Sequence, residues 1–76
     1  MGQLPSLPGR RVVRIFEHLG WIVNRQSGSH VILIKTGVNV TLSVPRHTSV
    51  AKGTLRTLIG KAGLSVDEFI AADREC

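Results

Sequence analysis

The side chains with chemistry to offer in this chain are three histidines, His18, His30 and His47, together with a scatter of Lys and Arg. His30 ends the stretch Arg25-Gln26-Ser27-Gly28-Ser29-His30, a glycine turn that leads into the aliphatic run Val31-Ile32-Leu33-Ile34. A histidine at the mouth of a strand can be an ordinary polar strand end. It can also move protons, because imidazole titrates near neutrality. The other usual chemistries find little support. Serines are plentiful, but no Ser-His-carboxylate spacing is visible, and all the carboxylates except Glu17 fall between residues 67 and 75. The histidines and the lone Cys76 lack metal-ligand spacing, and there is no glycine loop of the nucleotide-hydrolase type. What remains is histidine plus cations, which is enough for one reaction. RNA carries its own nucleophile, the 2′-OH. Cleavage needs a base for that proton, an acid for the leaving 5′-oxygen, and positive charge on the phosphorane. It needs no cofactor and no metal.

The charge distribution points the same way. Residues 1–64 hold nine Lys and Arg against Glu17 alone, net +8, and residues 65–76 hold Arg74 against four acids, net −3, which together give the +5 of the chain. A basic body with an acidic end favours a polyanion partner, nucleic acid first and an acidic membrane or protein next. The plainer alternative is a solvated Lys- and Arg-rich surface. No apolar run approaches the roughly 18 residues of a membrane span. One cysteine forms no internal disulfide and suits a reducing compartment. No signal peptide pattern opens the chain, so a cytoplasmic protein is expected, without a membrane role.

At 76 residues the chain is one domain with a small core and no deep cofactor pocket. Residues 1–8, with Pro5 and Pro8, read as an irregular lead-in, 9–70 as the core and 71–76 as an acidic tail. Val12, Ile15, Phe16 and Leu19 recur at helical spacing, and Gly20 can cap the end, so a helix is expected over 8–19. Residues 21–26 and 30–35 read as strands. Over 38–44, Val38, Val40, Leu42 and Val44 alternate with Asn39, Thr41 and Ser43, the pattern of a half-buried antiparallel strand ended by Pro45. Residues 46–51 form a loop. Leu55, Leu58, Ile59 and Ala62 repeat the helix stripe over 52–62, and Ser65 with Glu68 forms a capping box that opens a short last turn.

The expected fold is therefore α+β, in the order α-β-β-β-α, with both helices on one face of a three-stranded antiparallel meander. The other face is open. On the first strand it carries Ile22, Asn24 and Gln26 if Trp21 and Val23 point inward. On the second, both faces are apolar. If Val31 and Leu33 point inward, His30, Ile32 and Ile34 face out and leave an apolar patch suited to a protein partner or self-association. In the opposite register His30 tucks beside a helix. Trp21 could stack a base, but the neighbouring helix-end glycine places it in the core.

Three segments carry a family resemblance: Glu17 to His30 (EHLGWIVNRQSGSH), Val44 to His47 (VPRH) and Lys52 to Phe69 (KGTLRTLIGKAGLSVDEF). Together they resemble, in order and over nearly the whole chain, the HicA family of toxin endoribonucleases, also described as YcfA-like. The resemblance implies a fold like a double-stranded-RNA-binding domain, cleavage of messenger RNA, and neutralisation by a HicB-type antitoxin. The family's catalytic histidine falls on His30, and Gly28 matches the glycine before it. A second histidine that often follows is Val31 here, and the polar turn common after the second strand is replaced by Lys35-Thr36-Gly37.

Roles follow for the remaining candidates. The resemblance makes His30 the catalytic base or acid, where the bare residues also allow a polar strand end. Gly28 lets backbone approach a phosphate. Arg25, Lys52 and Arg56 are candidates to hold phosphate, Lys52 at the expected start of the second helix. His47 is a second proton-transfer group or a phosphate contact, or a loop residue bonding backbone. His18 lies on the polar side of the first helix. Two other classes compete with the ribonuclease: a non-cleaving RNA-binding module of similar fold, and a protein-interaction domain using the open face. A lysine cluster at the second helix would favour the former, and only Lys52, Arg56 and Lys61 are spread along it.

Overall fold

A computed structural model describes residues 4–46 and 48–76. The elements run β1 (Leu7–Pro8), α1 (Gly9–His18), β2 (Ile22–Ser27), β3 (His30–Ile34), β4 (Leu42–Pro45), β5 (Ser49–Val50), α2 (Lys52–Lys61) and α3 (Val66–Glu75). Strands β2, β3 and β4 form the expected antiparallel meander in that order, and β1 pairs with β5 in a separate two-stranded ribbon. The inward residues Val31, Leu33, Leu42 and Val44 share one core with Val12, Ile15 and Phe16 of α1, Leu55, Leu58 and Ile59 of α2, and Phe69 of α3. The helices thus cover one face of the sheet. No helix among the described residues is long and apolar enough to cross a membrane.

The helix ends follow from local chemistry. At the end of α1, Trp21 N–H donates to Phe16 O and Gly20 N–H to Glu17 O, with Gly20 at φ 99. This paired closure needs a residue with positive φ, which glycine adopts without a Cβ clash. It also turns Trp21 back under the helix, where it is 2% exposed and meets Phe16 edge-on at 6.3 Å. Trp21 is therefore a core residue and has no free face for a base. The same closure ends α2 at Gly63, through Leu64 N–H to Ile59 O. Ser65 and Glu68 form the reciprocal capping box at the start of α3.

Four expectations need correction. The lead-in is not irregular throughout: Leu4 is buried, and Leu7 and Pro8 pair with Val50 and Ser49, inside what reads as a loop. Strands of two residues carry no alternation to detect, and Pro8 is tolerated because the ribbon is all edge. Second, the last helix extends from Val66 to Glu75, beyond a short turn. Phe69 and Ala72 bury its inner face, and Arg11 of α1 grips Asp73 through Nε and Nη2 at 2.9 and 2.6 Å, which carries the helix past Ile70.

Third, the alternating run 38–44 is a strand only from Leu42 onward, and Val38 and Val40 are exposed. The β3–β4 ladder places Leu33 opposite Leu42, so its continuation needs Lys35 opposite Val40. Instead Val38 N–H donates to Lys35 O at 3.1 Å and closes a tight turn there. Two residues are then surplus on the outgoing arm, and 38–41 leaves the sheet.

Fourth, Val23 opposes buried Leu33 and so faces inward as expected, yet it stays 40% exposed, and Gln26, opposite buried Val31, does not line the open face with Ile22. A bulge between Val23 and Arg25 inverts the parity: Val23 pairs with Leu33 but Arg25 with Ile32. An extra residue in one strand turns everything beyond it over relative to a regular ladder. Val23 lies on β2, an edge strand of the sheet.

Candidate active site

The hairpin β2–β3 builds the site. Ser27 pairs with His30 across a two-residue connection, Gly28-Ser29. Gly28 has φ 59 and Ser29 does not have positive φ, which is the primed turn with glycine first, the hand that matches the twist of the strands. Nothing lies within 4 Å of where a Gly28 Cβ would stand, so glycine is required here by dihedral angle and not by space. The turn is pinned from the third strand, where Arg46 N–H donates to Ser29 O at 2.7 Å. His30 itself stands between Ser27 and Pro45 at the sheet end.

The register decides which way His30 points. Val31 and Leu33 are buried, so His30, Ile32 and Ile34 occupy the open face, as the outward alternative requires. His30 is exposed, and no side chain among the described residues bonds to its ring. Directly opposed residues on neighbouring strands share a face. Because the bulge puts Arg25 opposite Ile32, Arg25 emerges on the same open face as His30. Diagonal neighbours of this kind sit about 7–8 Å apart at the backbone, within reach of a long side chain. A regular ladder would have sent Arg25 toward the helices. Position 31, where the resemblance has a second histidine, faces inward at 7% exposure, so valine there completes the core and leaves the open face to His30.

The remaining candidates divide. Lys52 and Arg56 lie on the exposed side of α2, among the helices that cover the opposite face of the sheet, and no hydrogen bond among the described residues links them to the hairpin. His47 lies outside the described residues. His18 is engaged at the far end of α1, its Nε2 3.0 Å from Glu75 Oε1. Ile22 and Ile34 form an exposed apolar pair across β2 and β3, with Ile32 half-buried beside them, close to the patch expected there. Arg46 is the residue that sequence reasoning passed over. Its signal was present in Val44-Pro45-Arg46-His47, but only the bond from its backbone to Ser29 puts it beside the His30 turn.

A family model described as the HicA toxin of bacterial toxin–antitoxin systems matches residues 9–64. That span holds α1, the three-stranded sheet, β5 and α2, and includes His30. The chain belongs to the HicA toxin family. It is a toxin of a toxin–antitoxin system and pairs with an antitoxin. No protein among the curated ones compared matches it. Relative to the HicA match, α3 lies outside the matched span, yet it is bound to α1 by the Phe16–Phe69 ring contact at 5.3 Å and by Arg11–Asp73.

Proposed function

We propose that this HicA toxin is a metal-independent endoribonuclease that cleaves messenger RNA with His30 as a catalytic residue. The observation that carries the reading is the pairing of His30 and Arg25 on one open face, an exposed imidazole beside an exposed guanidinium at a turn locked from two sides. In the step proposed, the 2′-oxygen of RNA forms a bond to the adjacent phosphorus and the bond from phosphorus to the 5′-oxygen breaks. The 2′-OH proton leaves to a base, and the 5′-oxygen receives one from an acid. His30 serves one of these transfers, an effect of typically 10²–10⁴-fold. Arg25 faces the equatorial oxygens, where charge grows as the phosphorane forms. The products are a 2′,3′-cyclic phosphate and a 5′-OH. The sheet end is open, so an extended strand can reach it without a closed pocket. Gly28 keeps the turn free of a side chain at the point of approach. Lys52 and Arg56 supply long-range attraction from the helical side.

The antitoxin partner follows from charge. A body of net +8 over residues 1–64 is best approached by an acidic chain, since complementary potentials speed encounter. An acidic, HicB-type antitoxin that covers His30 would exclude RNA from the same face, and its apolar residues would find Ile22 and Ile34 there.

The test compares wild type with His30→Ala on mixed-sequence RNA in the presence of EDTA, with identification of the product ends. Cleavage by wild type alone, leaving cyclic or 3′-phosphate and 5′-OH ends, is expected. Equal binding of RNA by both proteins without cleavage by either would reduce the protein to an RNA-binding module and His30 to a strand end.

A further inference from the structure

Next to the His30 turn lies a cleft of about 450 Å³ that the chemistry above does not use, lined by Pro8, Arg10, Arg46, Thr48 and Ser49. Its walls come from two stretches of the chain, 8–10 and 46–49, and are held together by backbone. Pro8 pairs with Ser49, and Gly9 N–H donates to Thr48 O at 3.1 Å. The start of α1 then packs so closely on the end of β4 that a Cβ at Gly9 would overlap the Pro45 carbonyl oxygen and stand 3.0 Å from Arg46 Cα. Arg10 and Arg46 each follow one side of this joint. Two arginines thereby line one cleft, and like charges gathered in this way favour an anion between them. The first turn of α1 holds no acidic residue, and the ion pairs of that helix, Arg11–Asp73 and His18–Glu75, leave Arg10 and Arg46 out.

We propose that this cleft is a phosphate subsite, which holds a backbone phosphate of the RNA strand whose scissile linkage lies at His30. Guanidinium forks match phosphate oxygens in pairs, and the hydroxyls of Thr48 and Ser49 are donors of the kind that position a nucleic-acid backbone. The volume falls in the range of sites that take a small ligand, large enough for one nucleotide and too small for a duplex. Arg46 belongs to both places, since its N–H is bonded to Ser29 O at the His30 turn while its side chain lines the cleft. A phosphate held there is separated from the reacting one by a short span of strand, so the substrate must extend past a dinucleotide to gain from it. This inference rests on the ribonuclease reading.

The experiment uses the full chain, a 2′-O-methyl oligonucleotide that binds but cannot be cleaved, and cleavable RNA in two lengths, a dinucleotide and a mixed-sequence 12-mer. Arg10→Gln/Arg46→Gln is compared with Arg74→Gln, an exposed arginine on α3. The double variant is expected to weaken oligonucleotide binding at least tenfold and to lower the slope of log affinity against log salt by roughly 0.7, the value for one phosphate no longer neutralised on a single strand. It raises KM for the 12-mer and leaves dinucleotide cleavage within twofold. Arg74→Gln stays within twofold throughout. If the double variant only matches Arg74→Gln while wild type binds and cuts, the subsite is overturned and the ribonuclease stands. If wild type neither binds nor cuts RNA, both readings fall. Should the glutamines lower the melting temperature by more than about 5 °C, Arg10→Lys/Arg46→Lys is read instead. It keeps both charges and loses the forks, and unchanged binding by that variant overturns the subsite.

Discussion

Gly9→Ala is the smallest change that tests how the sheet end is assembled. Gly9 is buried, opens α1, and has normal helical backbone, so on local grounds alanine should be preferred there by up to about 1 kcal/mol. The surroundings reverse the sign. The new methyl would overlap the Pro45 carbonyl oxygen, lie 2.8 Å from the carbonyl carbon and 3.0 Å from Arg46 Cα. All three are backbone atoms, so relief requires α1 to move off β4. Overpacking in a tight site costs about 1–3 kcal/mol. Withdrawal also stretches the bond from Gly9 N–H to Thr48 O, for about 1 kcal/mol more. Against these stands the gain in helix propensity, leaving a net loss of about 1–3 kcal/mol. A chain of this size has on the order of 4–11 kcal/mol in total, and each kcal/mol moves its melting point by roughly 4–8 °C. Thermal unfolding followed by circular dichroism should show a fall of about 5–20 °C. Gly60→Ala is the internal control: Gly60 sits in α2 with nothing within 4 Å of its Cβ position, and alanine there should stabilise by about 0.5–1 kcal/mol. A Gly9→Ala protein that melts within 3 °C of wild type would refute the close approach of α1 and the Pro45–Arg46 backbone, and with it the geometry of the cleft.

Phe69→Ala should cost about 3–5 kcal/mol, because Phe69 is fully buried against Phe16 in the core, and equilibrium unfolding in urea should show one cooperative transition at lower midpoint. Two separate transitions would mean that α3 is a detachable appendage. Gly28→Ala meets no atom but must adopt φ 59, at roughly 1–2 kcal/mol, and Gly28→Asn should recover part of that loss in the same melt. Deleting Asn24 removes the bulged residue and still leaves Arg25 opposite Ile32, so RNA cleavage should stay within about threefold of wild type, while Arg25→Ala loses tenfold or more. A deletion as damaging as Arg25→Ala would show that the bulge shapes the site in its own right.

Much of this architecture was already legible in the residues. The stripe Val12-Ile15-Phe16-Leu19 marked α1, Ser65 and Glu68 marked the start of α3, and Gly20 and Gly28 fell where chain reversal needs positive φ. These signals are local: they concern residues within a few positions of one another, and local sterics and hydrogen bonding decide them. His30 was identifiable for the same reason, as the residue after a two-residue turn at the head of an aliphatic strand.

Register and distant contact belong to the tertiary structure. The alternation of 38–44 argued for a full strand, but pairing is settled by where the turn at Lys35–Val38 closes relative to the Leu33–Leu42 ladder, and no property of the run itself records that. The face of Arg25 depends on one surplus residue in β2, since the side-chain period of two turns a single bulge into an inversion. Gly9 and Gly60 look alike in the sequence, two glycines in helices, and only the fold presses one of them against Pro45. The chain by itself determined its helices, its turns, its charge and the histidine at the strand mouth. The bulge in β2 put Arg25 on the face of that histidine, and the packing of α1 on the end of β4 brought Arg10 and Arg46 to one cleft, because close approach between segments some 35 residues apart is a property of the assembled core.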